Sequence, residues 1–274
     1  MSQAQPNHDG NAAATAPRPQ NVEGRTIRLR VKRQDRPASQ GDPNIRWEEF
    51  VIPYKPNMNV ISCLMEIQRN PVDVNGKAVN PIAWDSNCLE EVCGSCTVVV
   101  NGKARQACST LIDKLNQPIT IEPMKSFTVI RDLMVDRQRM FEALKKVKAW
   151  IPLDGTYDLG PGPKMSAETA EIRYIESTCM TCGACLEVCP NFSEESPFIG
   201  AFAINQVRLF NSHPTGALNK NERLEALMGE GGIAYCGNSQ NCVRACPKEI
   251  PLTDSIAEMN AQVNKYALMK LFKR

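Results

Sequence analysis

The alternation of apolar and polar positions changes period part-way along the chain. From Arg25 to about Met124 it is mostly two. Ile27, Leu29 and Val31 alternate with Arg28, Arg30 and Lys32, and Trp47 to Ile52 makes a second strand-like run, so the spacing predicts a hairpin with one buried face. Val60, Leu64 and Ile67, following Asn57 and Asn59, have helical spacing that closes at Asn70-Pro71. Thr97 to Val100 then meets Asn101-Gly102, the dipeptide best suited to the positive φ angles of a tight hairpin turn, and Ile119 to Ile121 supplies a further short strand.

Beyond Lys125 the period becomes helical. Met140, Phe141, Leu144 and Val147 are assigned to one helix face, and Leu224, Leu227 and Met228 to a short helix stopped at Gly229, Gly231 and Gly232. Phe198 to Phe210 is apolar nearly all round and is expected buried between helices or against a partner. A last helix starts near Asp254, with Ile256, Met259, Val263 and Tyr266 on one face and Lys265, Lys270, Lys273 and Arg274 toward its end. The fold class is therefore α+β. An α+β domain over residues 25–128 precedes an all-α domain over 129–274, and residues 1–24, rich in Ala, Gln, Asn and Pro, are expected to be a disordered tail.

Charge adds mainly exclusions. With 32 basic and 30 acidic side chains the net charge is +2, which gives no electrostatic reason to expect nucleic acid. No stretch approaches the roughly 18 apolar residues of a membrane span, and no signal peptide is evident, so a reducing compartment is expected. There, twelve cysteines are metal ligands sooner than six disulfides. Only His8 and His213 accompany them, too few imidazoles for bis-histidine haem, a Rieske centre or a Cys2His2 zinc finger.

The spacing of the cysteines divides them. Cys88, Cys93, Cys96 and Cys108, in CLEEVCGSCTVVVNGKARQAC, follow the C-x4-C-x2-C pattern plus a distant fourth thiol of a plant-type [2Fe-2S] centre. A four-cysteine zinc site would use the C-x2-C pair but does not account for the x4 gap. Cys179, Cys182, Cys185 and Cys189-Pro190 form the bacterial C-x2-C-x2-C-x3-C-P run, whose fourth cysteine ligates the other cluster of a pair. That other cluster falls to Cys236, Cys242 and Cys246-Pro247, which repeat the same offsets with Ser239 at the one non-cysteine position. Cys179, Cys182, Cys185 and Cys246 then make a [4Fe-4S] set, and Cys189, Cys236 and Cys242 a [3Fe-4S] set. Serine oxygen binding iron at Ser239, giving a second [4Fe-4S] cluster, is the alternative, and the softness of the preferred thiolate ligand weighs against it. Cys63 remains, on the apolar face of the first helix, as a buried structural thiol.

Three one-electron centres, with no Rossmann fingerprint, no P-loop and no acid–base constellation, describe a conductor without catalytic residues of its own. The order of the motifs resembles that of the iron-sulfur subunits of succinate dehydrogenase and fumarate reductase, respiratory complex II, over residues 25 to about 272. The resemblance implies a β-grasp plant-type ferredoxin domain followed by a helical bacterial-type ferredoxin domain. It implies electrons passing from the FAD of a flavoprotein subunit, where succinate is oxidised, through [2Fe-2S], [4Fe-4S] and [3Fe-4S] clusters to quinone at a haem-bearing cytochrome b membrane anchor. The chain would be peripheral, on the cytoplasmic side of the membrane. Many members have Gly where Glu91 stands, and the branch with Glu is similar to the one with a single diheme anchor and menaquinone as acceptor. Of the quinone-site positions of ubiquinone-using relatives only Pro190 is retained. Glu194 and Gly237 replace Trp and His, so no quinone site is carried onto this chain. Fumarate reductase, the same conductor run backwards, is the alternative function.

Overall fold

The computed structural model describes residues 24–151 and 164–272. The tail expected over 1–24 lies, but for Gly24, outside the described residues. The first half of the chain is built on a five-stranded sheet of order β2-β1-β5-β3-β4. Strand β1 (Thr26–Arg33) buries alternate residues and pairs antiparallel with β2 (Arg46–Pro53), setting Ile27 against Ile52 and Leu29 against Phe50 on the core face. Helix α1 (Val60–Arg69) begins where the Asn59 side chain accepts from Ser62 N at 2.8 Å, and it turns Val60, Ile61, Cys63, Leu64 and Ile67 into the same core. Strands β3 (Thr97–Val100) and β4 (Lys103–Gln106) form the expected hairpin, with Asn101 and Gly102 at φ 47° and 75°. Strand β5 (Ile119–Glu122) runs parallel to β1 and antiparallel to β3, closing a mixed sheet.

A small hairpin, β6 (Val129–Arg131) and β7 (Met134–Val135), stands where the periodicity predicts only helix. Its strands are too short to show alternation. Its turn residue Asp132 is fully buried and accepts from Arg33 Nε at 2.7 Å, Arg33 Nη2 at 3.1 Å, Gln34 N at 3.2 Å and Ala83 N at 2.9 Å. Arg33, also buried, reaches Glu48 as well, so one ion-pair network ties the hairpin to the edge of the sheet.

The second core is helical. Helix α2 (Gln138–Lys146) buries Met140 and Ala143, and Val147 follows at its end. Phe141, assigned above to that face, is 53% exposed, because adjacent helical positions lie about 100° apart. Helix α3 (Ala167–Ser177) was not anticipated, since its fully buried side chain is a carboxylate, Glu176. Short helices α4 (Ala184–Glu187) and α7 (Asn241–Ala245) pack together, while α5 (Ala201–Asn211), α6 (Lys220–Met228) and α8 (Leu252–Phe272) form the main stack. The α5 segment is buried as expected, although the helix itself begins only after Gly200. That residue has φ +89°, and a Cβ on it would fall 2.1 Å from Leu186 Cδ2. Met228, read with Leu224 and Leu227 as part of this helix, is its last residue and is 43% exposed. Arg208 on α5 is held 2.9 Å from Glu176, joining α5 to α3. Burial pushes the Glu176 carboxyl up to about 7 against the pull of Arg208.

The Asp132–Arg33 network generates a stability prediction. Asp132→Ala takes one of two carboxylates from a buried guanidinium, leaves the Gln34 and Ala83 N–H groups without their acceptor, and is expected to cost about 3 kcal/mol, whereas Arg28→Ala at the exposed pair with Glu49 costs under about 1 kcal/mol. Urea unfolding followed by visible absorption of the loaded protein checks both, and equal midpoints for the two variants would contradict the ranking.

Candidate iron-sulfur centres

The loop before β3 carries three of the first four thiols. Leu89, Glu91 and Gly94 adopt left-handed φ values of 64°, 59° and 69°, which curl the backbone so that amides face inward. Cys88 Sγ consequently accepts from the N–H groups of Glu90 at 3.5 Å, Val92 at 3.3 Å and Cys93 at 3.3 Å, and Cys93 Sγ accepts from Ser95 N at 3.5 Å. Glu91 is one of these left-handed residues, so a glycine there would relieve steric strain. Cys96 and Cys108 flank the β3–β4 hairpin. Thr97 pairs with Gln106, and Ala107 N donates to Cys96 O at 3.0 Å, so the hairpin brings the two thiols side by side. Thr97 Oγ1 also donates to Gly94 O at 2.7 Å, bracing the loop on the strand.

Electrostatics distinguish the ligands. Burial raises the Cys93 thiol, but hydrogen bonds from Cys88 and Ser95 outweigh it and bring it down to about 6. Burial pushes Cys96 up to about 12. Convergent N–H donors of this kind suit anionic sulfur, and they satisfy what a bound [2Fe-2S] cluster requires of its surroundings.

The two cysteine segments of the helical half repeat in three dimensions. Thr181 and Gly183 in the first have φ 50° and 86°, and Asn238 and Gln240 at the equivalent positions of the second have 52° and 60°; α4 and α7 follow in each. Cys179, Cys182 and Cys185 line one cavity together with Cys246 from the other segment. Cys189, Cys236 and Cys242 line a second cavity, and Ser239 stands in its wall. Cys246 thus shares a cavity with the thiols of the first segment, and Cys189 with those of the second. Burial raises the thiols of Cys179, Cys182 and Cys185, and the negative charge of Cys246 raises each further, so these sulfurs need a cationic core to become thiolates together. The donor sets fit iron-sulfur clusters. The sulfurs line cavities instead of closing on one point, and among the described residues no group of three potential ligands holds single-ion geometry.

Other expected features have plain structural roles. Cys63 is fully buried, and its thiol is pushed up to about 12 by burial. Glu194 accepts from Thr128 Oγ1 at 2.5 Å, and a Cβ on Gly237 would lie 2.7 Å from Asn191 Oδ1. His213 Nδ1 accepts from Thr215 N and Gly216 N. Among the described residues no helix is long and apolar enough to cross a membrane. The site residue that the sequence did not disclose is Arg137, whose side chain bonds to carbonyls in both cysteine-bearing halves.

Four thiols on a loop and hairpin of a mixed sheet, joined to a helical unit whose two cysteine segments share their cavities, define a two-domain iron-sulfur protein. Family models agree: residues 28–142 match the 2Fe-2S iron-sulfur cluster binding domain and residues 175–250 the 4Fe-4S dicluster domain. The chain is 61% identical over 250 residues to the succinate dehydrogenase iron-sulfur subunit of Bacillus subtilis, covering 91% of this chain and 97% of that one. It is 27% identical over 244 residues to the fumarate reductase iron-sulfur subunit of Wolinella succinogenes, covering 88% and 98%. A chain of the Mycobacterium smegmatis Sdh1 complex in the apo form shares the fold with a TM-score of 0.72 at 24% identity, over 88% of this chain and 96% of that one. The chain belongs to the family of succinate dehydrogenase and fumarate reductase iron-sulfur subunits.

Cys63 provides the check on the division of the thiols. Cys63→Ala is expected to leave iron and labile sulfide per chain unchanged and to cost only about 1 kcal/mol of stability, whereas replacement of any of the other eleven lowers cluster content. Iron and sulfide analysis decides it, and loss of iron in the Cys63 variant would break the ligand map.

Proposed function

We propose that this chain is the iron-sulfur electron-transfer subunit of a succinate:quinone oxidoreductase of the respiratory chain and tricarboxylic acid cycle. The observation that carries the reading is the 61% identity over 91% of the chain to a succinate dehydrogenase subunit. The grouping of its cysteines into three sets supports it. Cys88, Cys93, Cys96 and Cys108 hold a [2Fe-2S] cluster on a β-grasp plant-type domain over residues 25–128. Cys179, Cys182, Cys185 and Cys246 hold [4Fe-4S], and Cys189, Cys236 and Cys242 hold [3Fe-4S], on a bacterial-type helical domain over 129–274. The two cores interleave around this boundary, since Met124 and Phe127 before it pack in the helical core and Leu133 after it packs in the first.

When bound, the clusters supply one-electron chemistry. The chain's own residues hold them in order, turn amide N–H groups toward sulfur, and keep water from the buried thiols. The flavoprotein with FAD is the donor, and the exposed Leu89 and Val92 on the first cysteine loop offer it an apolar landing. A haem-bearing cytochrome b anchor presents quinone, menaquinone in this branch, with the chain peripheral on the cytoplasmic side of the membrane. Substrate chemistry belongs to the flavoprotein. Fumarate reduction is the second reading, favoured by the fumarate reductase subunit similar to this chain at 27% identity. Assaying the purified membrane complex for succinate:quinone and quinol:fumarate turnover separates the two directions.

Ser239 supplies the sharpest test of the cluster assignment. Ser239→Cys is expected to abolish the [3Fe-4S] EPR signal of the oxidised complex, replace it with a [4Fe-4S] centre of lower potential, and slow quinone reduction. An unchanged oxidised spectrum would overturn the assignment of the third set.

A further inference from the structure

The two cysteine-bearing halves meet backbone to backbone. At Gly94, φ +69°, an added Cβ would lie 2.7 Å from both Cα and Cβ of Cys182. Arg137, immediately before α2, sits at this contact. Its Nη1 donates to Gly94 O at 2.7 Å and to Cys182 O at 3.2 Å, and its Nη2 donates to Ser95 O at 2.9 Å. Two of these carbonyls lie between Cys93 and Cys96 of the first set, and the third belongs to a cysteine of the second. Neutral carbonyls satisfy the donors of a buried guanidinium without neutralising its charge, which in a low-dielectric site requires anionic partners. The acidic groups whose charge acts on it are Cys182, Asp85, Cys96 and Cys93, so three of the four are thiols of the two proposed ligand sets, which become anionic when a cluster binds. Four thiolates outweigh the charge of an oxidised cluster core, and each loaded site is therefore a net anion.

We propose that Arg137 is a positioning residue shared by the first two centres. It pins the [2Fe-2S] and [4Fe-4S] ligand loops together at the Gly94–Cys182 contact, and its positive charge between two anionic clusters raises both reduction potentials. Each reduction adds one electron and one negative charge to a cluster, so a nearby buried cation favours the reduced form. Among the described residues the Arg137 side chain bonds only to Gly94, Ser95 and Cys182 and to nothing on the segments that carry Cys189, Cys236 and Cys242, so the [3Fe-4S] potential is left where it is. The inference rests on the cluster assignment proposed above.

The experiment is an EPR-monitored redox titration of the assembled complex carrying Arg137→Gln or Arg137→Lys. In the glutamine variant the ratio of reduced to oxidised cluster at fixed ambient potential is expected to fall at least about tenfold for both [2Fe-2S] and [4Fe-4S], equivalent to about 59 mV for a one-electron couple. The [3Fe-4S] ratio should change less than about twofold, and lysine, which keeps the charge, should restore the first two to within about threefold of wild type. A loaded glutamine variant with unmoved potentials, or with all three shifted alike, overturns the inference. If the glutamine variant loses its clusters, lysine decides: retention of both clusters at wild-type potentials supports the role of the charge, and equal loss refutes it. A wild-type complex lacking any of the three signals would instead defeat the cluster assignment itself, a failure visible before any variant is compared.

Discussion

Gathering several sulfur anions inside a protein is the constraint on which most of this architecture depends. Burial penalises each thiolate, and every neighbour adds repulsion, so that the fully desolvated Cys185 thiol is driven well above its ordinary range. The chain answers with backbone dipoles and with room for a cationic core. Turning amides inward demands left-handed residues, and only some of them are glycine. Leu89, Glu91, Thr181, Asn238 and Gln240 occupy that region at a cost on the order of 1 kcal/mol each. Such strain persists only where the surroundings over-determine the loop. Here the β3–β4 hairpin clamps the first loop from both sides, and the helical core underlies the other two.

The crossing of Cys189 and Cys246 into each other's cavities ties the two cysteine segments of the helical half together. Under the proposed ligand sets neither segment completes a site from its own thiols, since each cavity takes a sulfur from the other segment, and each run then leaves through a proline. Loading one cavity therefore orders both segments. Packing beneath them is correspondingly tight: Gly200 leaves no space for a Cβ beside Leu186, and α5 buries Phe202, Ala203, Ile204 and Val207. Serine at position 239 replaces a thiol in the wall of one cavity without altering the backbone that shapes it, because Asn238 and Gln240 on either side keep the φ values of the repeat.

What could be read from the sequence was what local spacing encodes. Strands with four or more alternating positions, the Asn59 cap, the Asn101-Gly102 turn and the buried character of α5 follow from near-neighbour patterns. So does the sharing of one cavity by Cys179, Cys182, Cys185 and Cys246 and of another by Cys189, Cys236 and Cys242, whose offsets are set by the loops that carry them. The β6–β7 hairpin was illegible because its strands hold three and two residues. Helix α3 was hidden because its buried position is Glu176, matched by Arg208 from another helix, and the Phe141 assignment erred by one helical step. Arg137 lay beyond reach for a different reason. Its carbonyl partners are 42 to 45 positions away in the chain, and a carbonyl carries no side-chain signature.

The glycine of CGSC brings these scales together. Gly94 must be left-handed for the first loop to close, must lack a Cβ for Cys182 to approach, and must offer its carbonyl to Thr97 and Arg137 at once. The nearest atoms to an added Cβ belong to the Cα and Cβ of Cys182, so no rotamer change relieves the clash. Spacing between the first two ligand sets is consequently fixed by main chain against main chain, the least compliant contact available to a protein. A conductor has reason to be built this way. Electron transfer depends steeply on separation, and a junction of flexible side chains would let that separation drift, whereas backbone contact under a buried arginine holds it constant.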